Sequence, residues 1–105
     1  MMRPFRTEHL ANGITLTFFD CSNRYFGDYH RVYIEIHLSV PPPAGPCTAI
    51  RHRERMAVPG AEVEMVRAQL ADDFLRHAGR YLAHADYPAR LAAAEAAVRP
   101  RLTRR

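Results

Sequence analysis

The sequence contains no lysine: all 15 cationic side chains among its 105 residues are arginine, set against 11 acidic ones. Alanine is abundant beside them, a pattern that codon usage in a GC-rich genome explains more simply than selection for guanidinium chemistry, although arginine is also the better fork for phosphate. Cysteine is scarce. Cys21 and Cys47 bracket an extended segment, residues 29–40, that spans about 40 Å, so two separate thiols are expected rather than a disulfide. The absence of any Cys-x-x-Cys spacing excludes a zinc ribbon and a thioredoxin-type motif. No apolar run approaches the roughly 20 residues of a membrane helix, and residues 1–6 lack the apolar core of a signal peptide. The expectation is a cytoplasmic protein without membrane contact.

Catalytic signatures are also missing. No glycine-rich phosphate loop follows a strand pattern, no nucleophile stands with a histidine and an acid, and the adjacent Asp72 and Asp73 point to different faces of a helix. Six histidines raise the question of a metal, but no His-x-x-x-His or His-Glu-x-x-His spacing occurs. His30 and His37 have opposite strand parity, while His77 and His84 lie two helical turns apart, about 10 Å, too far to share one ion. No metal or cofactor is expected.

What is present reads as one small folded domain. Hydrophobic residues make up 48% and charged residues 25% of the chain, outside the range of disordered sequences. The formal net charge of +4 resides in residues 99–105, which carry four arginines and no acid; residues 1–98 balance 11 arginines against 11 acids. Residues 1–98 therefore read as a neutral single domain and 99–105 as a basic, frayed tail.

Asn12-Gly13 predicts a two-residue hairpin between strands at about 5–11 and 14–20, because a type I′ turn needs positive φ at both central positions. That register places Phe5, Ile14, Leu16 and Phe18 on one face, with Leu10 and Phe19 on the other. Residues 29–40 alternate strictly, Val32, Ile34, Ile36, Leu38 and Val40 against Arg31, Tyr33, Glu35, His37 and Ser39, as in a half-buried strand. Pro41, Pro42, Pro43 and Pro46 end it. A fourth strand over 48–58 sets Ile50, Met56 and Val58 on one parity and Arg51, Arg53 and Arg55 on the other. After Pro59-Gly60, a helix presents Val63, Val66, Leu70, Phe74, His77 and Tyr81 as one stripe with Ala71, Leu75, Ala78 and Leu82 beside it. Asp86 and Pro88 open a second helix through Leu91 and Val98 that stops at Pro100. The fold class expected is α+β, a four-stranded antiparallel β-meander followed by two C-terminal helices packed on one face.

The combination of Asn12-Gly13, Asp20-Cys21-Ser22, Gly27-Asp28, the long alternating strand and Asp86-Tyr87-Pro88 resembles a group of short uncharacterised bacterial proteins, a resemblance that implies no activity or site residue. A PilZ reading fails. Tyr25 stands where that family's Asp/Asn-x-Ser-x-x-Gly motif needs glycine, and Arg3 and Arg6 have the wrong spacing for its Arg-x-x-x-Arg.

Three candidate sites follow. Arg24, Tyr25 and Phe26 in a loop over 20–28 combine aromatic area with a planar cation, as contact surfaces do, unless Phe26 plugs the core. Arg51, Arg53 and Arg55, grouped with Arg31, Tyr33 and His37, form a row that would track a phosphate backbone, unless Glu35 and solvent neutralise it. His52 and Glu54 share parity with apolar Ile50, Met56 and Val58; they form either an inward pair, in a ligand pocket or as an acid and base, or a solvated pair, because the strand overhangs the helices or a β-bulge flips its parity. The functional expectation is a non-enzymatic interaction or regulatory module. It is homodimeric because the broad helix arc and Leu10, Phe19 and Tyr33 expose more apolar surface than a monomer needs. Nucleic-acid binding through Arg51, Arg53, Arg55 and the arginine tail is the alternative, and a small-ligand enzyme around His52 and Glu54 ranks third.

Overall fold

The computed structural model describes residues 3–103, with side-chain surroundings described up to residue 97. The elements in order are β1 (Arg3–His9), β2 (Thr15–Asp20), β3 (Asn23–Phe26), β4 (Tyr29–Val40), β5 (Cys47–Pro59), a 3-10 turn (Gly60–Glu62), α1 (Val63–Leu82) and α2 (Tyr87–Thr103). β1 pairs with β2, while β2 and β3 both pair with β4 on one edge and β5 covers its other edge, all antiparallel. The expected α+β fold is present. β2 and β3 are one meander strand in two pieces: the pairs Thr15↔Ser39, Asp20↔Ile34 and Asn23↔Arg31 keep one register, and the Cys21 N–H donates to the Tyr33 carbonyl across the gap at 2.8 Å.

The alternation of β4 sets the layers. Val32, Ile34, Ile36, Leu38 and Val40 are buried and share one core with Ile14, Leu16 and Phe18 of the first hairpin and with Val66, Leu70, Ala71, Phe74, Ala78 and Leu82 of α1. Phe18 and Phe74 meet edge to face with centroids 6.1 Å apart, a geometry worth about 0.5–1.5 kcal/mol beyond burial. The stripe on α1 is rotated from the expected one. His77 is exposed and Tyr81 is 57% exposed, because Ala78 and Leu82 supply the last inward positions. α2 adds Leu91 to the core and continues past Pro100 to Thr103, three residues beyond the expected stop; a proline so near the helix end forfeits a single backbone hydrogen bond. Of the expected frayed tail 99–105, Arg104 and Arg105 lie outside the described residues.

Turn residues clamp the C-terminal end of α1 and the 3-10 turn that leads into it. The first hairpin closes through three residues rather than two, with Leu10 paired to Ile14 and positive φ at Gly13 alone, the three-residue turn whose last position is left-handed. This shifts the register by one, so Leu10 packs against the core instead of the opposite face, and a bulge at Phe5 turns that ring inward as well. Asn12 is thereby freed for another task. Its Nδ2 donates to the carbonyls of Leu82 at 2.6 Å and His84 at 2.8 Å, satisfying acceptors that a helix C-terminus leaves without partners. At the opposite end, the Gly60 N–H donates to both the carbonyl and the Oδ2 of Asp28, each at 3.1 Å. A Cβ at residue 60 would lie 2.5 Å from Asp28 Oδ1, so any side chain there must displace the Asp28 carboxylate. Laterally, Arg67 of α1 donates to Asp20 at 2.9 Å, and Arg6 donates to Asp72 of α1 at 2.7 Å.

Candidate functional site

The face of β4 turned away from the helices carries the chemistry. A bulge in β5 decides what stands beside it. Val32 pairs with Arg55 but His30 pairs with Val58, so two residues of β5, Met56 and Ala57, oppose Arg31 alone. Ala57 takes φ +58°, a left-handed conformation that costs a non-glycine residue about 1–2 kcal/mol. The extra residue lets Val58 enter the core at 3% exposure while Ile50 and Met56 stand in solvent at 51% and 49%.

The arginine row therefore lies elsewhere than expected. Arg51, Arg53 and Arg55 pair with Ile36, Ile34 and Val32 and so project toward the helix side, not beside Arg31, Tyr33 and His37. They reach past the flank of α1: the Arg53 guanidinium lies 5.0 Å from the Phe74 ring centroid, and Arg55 donates to Gln69 Oε1 at 3.3 Å. Long stems that cover apolar surface while their heads stay wet explain how arginines tolerate that side. His52 and Glu54 project from the opposite, helix-free face, and both are exposed. The bulge, not a buried acid–base pair, accounts for their parity.

On that open face, Arg31 donates from Nε to Glu54 at 2.7 Å and stacks over Tyr33 with 4.1 Å from its guanidinium carbon to the ring centroid. Tyr33 stacks on His52 with centroids 5.6 Å apart. His37 Nε2 and Glu35 Oε1 are 3.0 Å apart, and Phe19 packs against the His37 ring at 4.5 Å. Cys21 opens from the edge of this row, and burial, with Glu35 and Asp20 adding repulsion, pushes its thiol pKa up, which makes it a poor nucleophile. Cys47 is likewise a free thiol, at the opposite end of the sheet beside Val40. It borders a cavity of about 220 Å³ between the proline loop and Ala92, Glu95 and Ala96 of α2. Among the described residues, no three of His, Cys, Asp and Glu converge as metal ligands, and no helix is long and apolar enough to cross a membrane.

The segment expected as a loop over 20–28 is mostly strand. Gly27-Asp28 close a tight hairpin from Phe26 to Tyr29, with positive φ at Gly27 and a bulge at Tyr25. Phe26 is 72% exposed, so it does not plug the core. Arg24 pairs with His30 toward the helix side, while Phe26 pairs with Tyr29, whose parity continues through Arg31 and Tyr33. The aromatic tip and the open face are thus one surface.

The sequence reading missed Tyr29, Ile50 and Met56 as members of this surface. The alternation of arginines with apolar and polar residues along 48–58 allowed either parity to face inward, and nothing local marks Ala57 as left-handed. Comparison with family models, with curated proteins and with solved structures returns no match.

Proposed function

We propose that this protein is a small non-enzymatic interaction module that pairs with a second copy of itself through the open face of its sheet. The observation that carries this reading is the continuous surface from the hairpin tip through Tyr29, Tyr33 and Phe19, flanked by exposed Ile50 and Met56, on which Arg31 is paired with Glu54 and Glu35 lies within hydrogen-bond distance of His37, both inside the chain. Covering polar groups that keep their partners lowers the main penalty of burying them. Aromatic, methionine and arginine side chains are also the residues enriched in interface centres.

The area suffices. Four strand rows about 4.8 Å apart, along a strand rising about 3.3 Å per residue, offer roughly 700 Å². Two copies would bury about 1,400 Å², within the range of stable interfaces. The nucleic-acid alternative has less support, because Arg51, Arg53 and Arg55 stand on the other side of the sheet from Arg31, Tyr33 and His37. Sedimentation equilibrium at micromolar concentration should give twice the 12.0 kDa chain mass. Ile50→Lys combined with Met56→Lys should weaken association at least about tenfold, without loss of folding, since both side chains are half exposed. A monomer mass for the unmodified protein overturns the reading.

A further inference from the structure

The 13-residue β5 is an edge strand, paired with β4 from Tyr29↔Pro59 to Val40↔Cys47 and with no other strand among the described residues. Its backbone still seeks partners. Arg51 Nη1 folds back onto the Ile50 carbonyl at 3.1 Å, and Arg53 Nη1 onto the His52 carbonyl at 2.7 Å, which marks those carbonyls as facing the free edge. In an antiparallel ladder the N–H of a residue faces the same way as its carbonyl, so the amides of Ile50 and His52 point outward too. Edge strands with such unpaired groups template the addition of another strand.

What can be added is restricted by charge. Arg51, Arg53 and Arg55 recur at every second residue beside that edge, and none has a carboxylate within ion-pair distance among the described residues. Antiparallel pairing of β5 with β5 of a second copy about a two-fold axis sets residues of equal parity opposite each other, hence arginine against arginine, and like charges directly opposite are destabilising. A strand with acidic residues at alternate positions meets the reverse condition. Its side chains on one face repeat at about 6.6 Å, the same interval as the arginines, and each would sit opposite a guanidinium, two of them released from carbonyls of β5 itself and that of Arg55 from Gln69 of α1.

We propose that the β5 edge binds an extended acidic segment of a partner protein by strand addition, with alternate Asp or Glu side chains facing Arg51, Arg53 and Arg55 and backbone hydrogen bonds to Ile50 and His52. This deepens the interaction-module reading by naming a partner chemistry, at an edge separate from the face assigned to self-association. Recognition is by backbone bonds for affinity and alternate side chains for specificity, as in other strand-addition complexes.

The test uses the full chain and a fluorescein-labelled peptide alternating glutamate with threonine, long enough to lie along Thr48 to Met56, read by anisotropy. Two control peptides separate sequence from charge: one with the same composition but its glutamates in a single block, the other N-methylated at the amides that would face β5. Single-stranded oligothymidylate is the nucleic-acid arm. The alternating peptide should bind at least about tenfold more tightly than either control and should slow hydrogen exchange at the Ile50 and His52 amides. Arg51→Gln, Arg53→Gln and Arg55→Gln together should weaken it at least about tenfold while the circular dichroism stays that of the unmodified protein, with a lower melting temperature from loss of the Arg53–Phe74 and Arg55–Gln69 contacts but full folding at the temperature of the binding assay. Equal binding of the block or N-methylated peptide overturns strand addition, and so does preference for the oligonucleotide with steep salt dependence. Sedimentation of the peptide-free protein reports self-association separately, so failure of one reading is distinguishable from failure of the other.

Discussion

Asn12 offers the sharpest separation between what a turn residue does by backbone tolerance and what it does by its side chain. If Asn12 served by adopting positive φ, Asn12→Gly would be neutral or favourable. In the structure, positive φ in the first hairpin belongs to Gly13 alone, whereas the Asn12 amide makes three hydrogen bonds: Nδ2 to the Leu82 and His84 carbonyls, and Oδ1 from the Ile14 N–H at 3.1 Å. Each is worth a net 0.5–1.5 kcal/mol or so, and exposure at the His84 end favours the lower figure, for a loss of about 2 kcal/mol. Unfolding entropy of roughly 2.1 cal/mol/K per residue, about 220 cal/mol/K over the chain, converts this to a fall in Tm of about 9 °C. Asn12→Gly and Asn12→Ala should therefore fall together. Asn12→Asp should fall furthest, because it loses both donors and sets a negative charge against the negative end of α1. Thermal unfolding followed at 222 nm measures all three. A glycine variant within about 2 °C of the unmodified protein refutes the clamp and restores the backbone explanation.

Two further outcomes follow from particular contacts. Burial alone would raise the Asp20 pKa, but hydrogen bonds from Ser22 and Arg67 outweigh it and hold the carboxyl below its ordinary value of 3.8. A depressed folded-state pKa contributes stability above about pH 4 that is lost as pH falls; urea midpoints at pH 6 and pH 3 should differ less in Asp20→Asn than in the unmodified protein, and an unchanged difference counts against the ion pair. Ala57→Gly relieves a left-handed alanine, a gain of about 1–2 kcal/mol less about 0.5–1 kcal/mol of added unfolded-state freedom, so the urea midpoint should rise modestly, while Ala57→Val should lower it. A fall on substitution by glycine would mean that φ +58° is not the conformation held in solution.

The sequence by itself determined the layering, through features that act locally. Strict alternation from Val32 to Val40 can bury only one set of side chains, and the 3.6-residue recurrence of Val66, Leu70 and Phe74 supplies the only comparable apolar stripe to cover it. The prolines after Val40 and Pro59-Gly60 divided the elements for equally local reasons. Tertiary structure decided every matter of parity that depends on one inserted residue. The bulges at Phe5, Tyr25 and Met56-Ala57 carry no local mark, and that at Met56-Ala57 fits residues on either side of it to a common core: Ala49 and Val58 both face the helices although they differ in parity. That single count placed Arg51, Arg53 and Arg55 beside the free edge and His52 and Glu54 on the open face. Likewise, Asn12 and Asp28 announce turns in the sequence, but only the folded chain brings them to the C-terminal end of α1 and to the 3-10 turn that leads into it, about 70 and 32 residues away, where otherwise unpaired backbone groups give them their function.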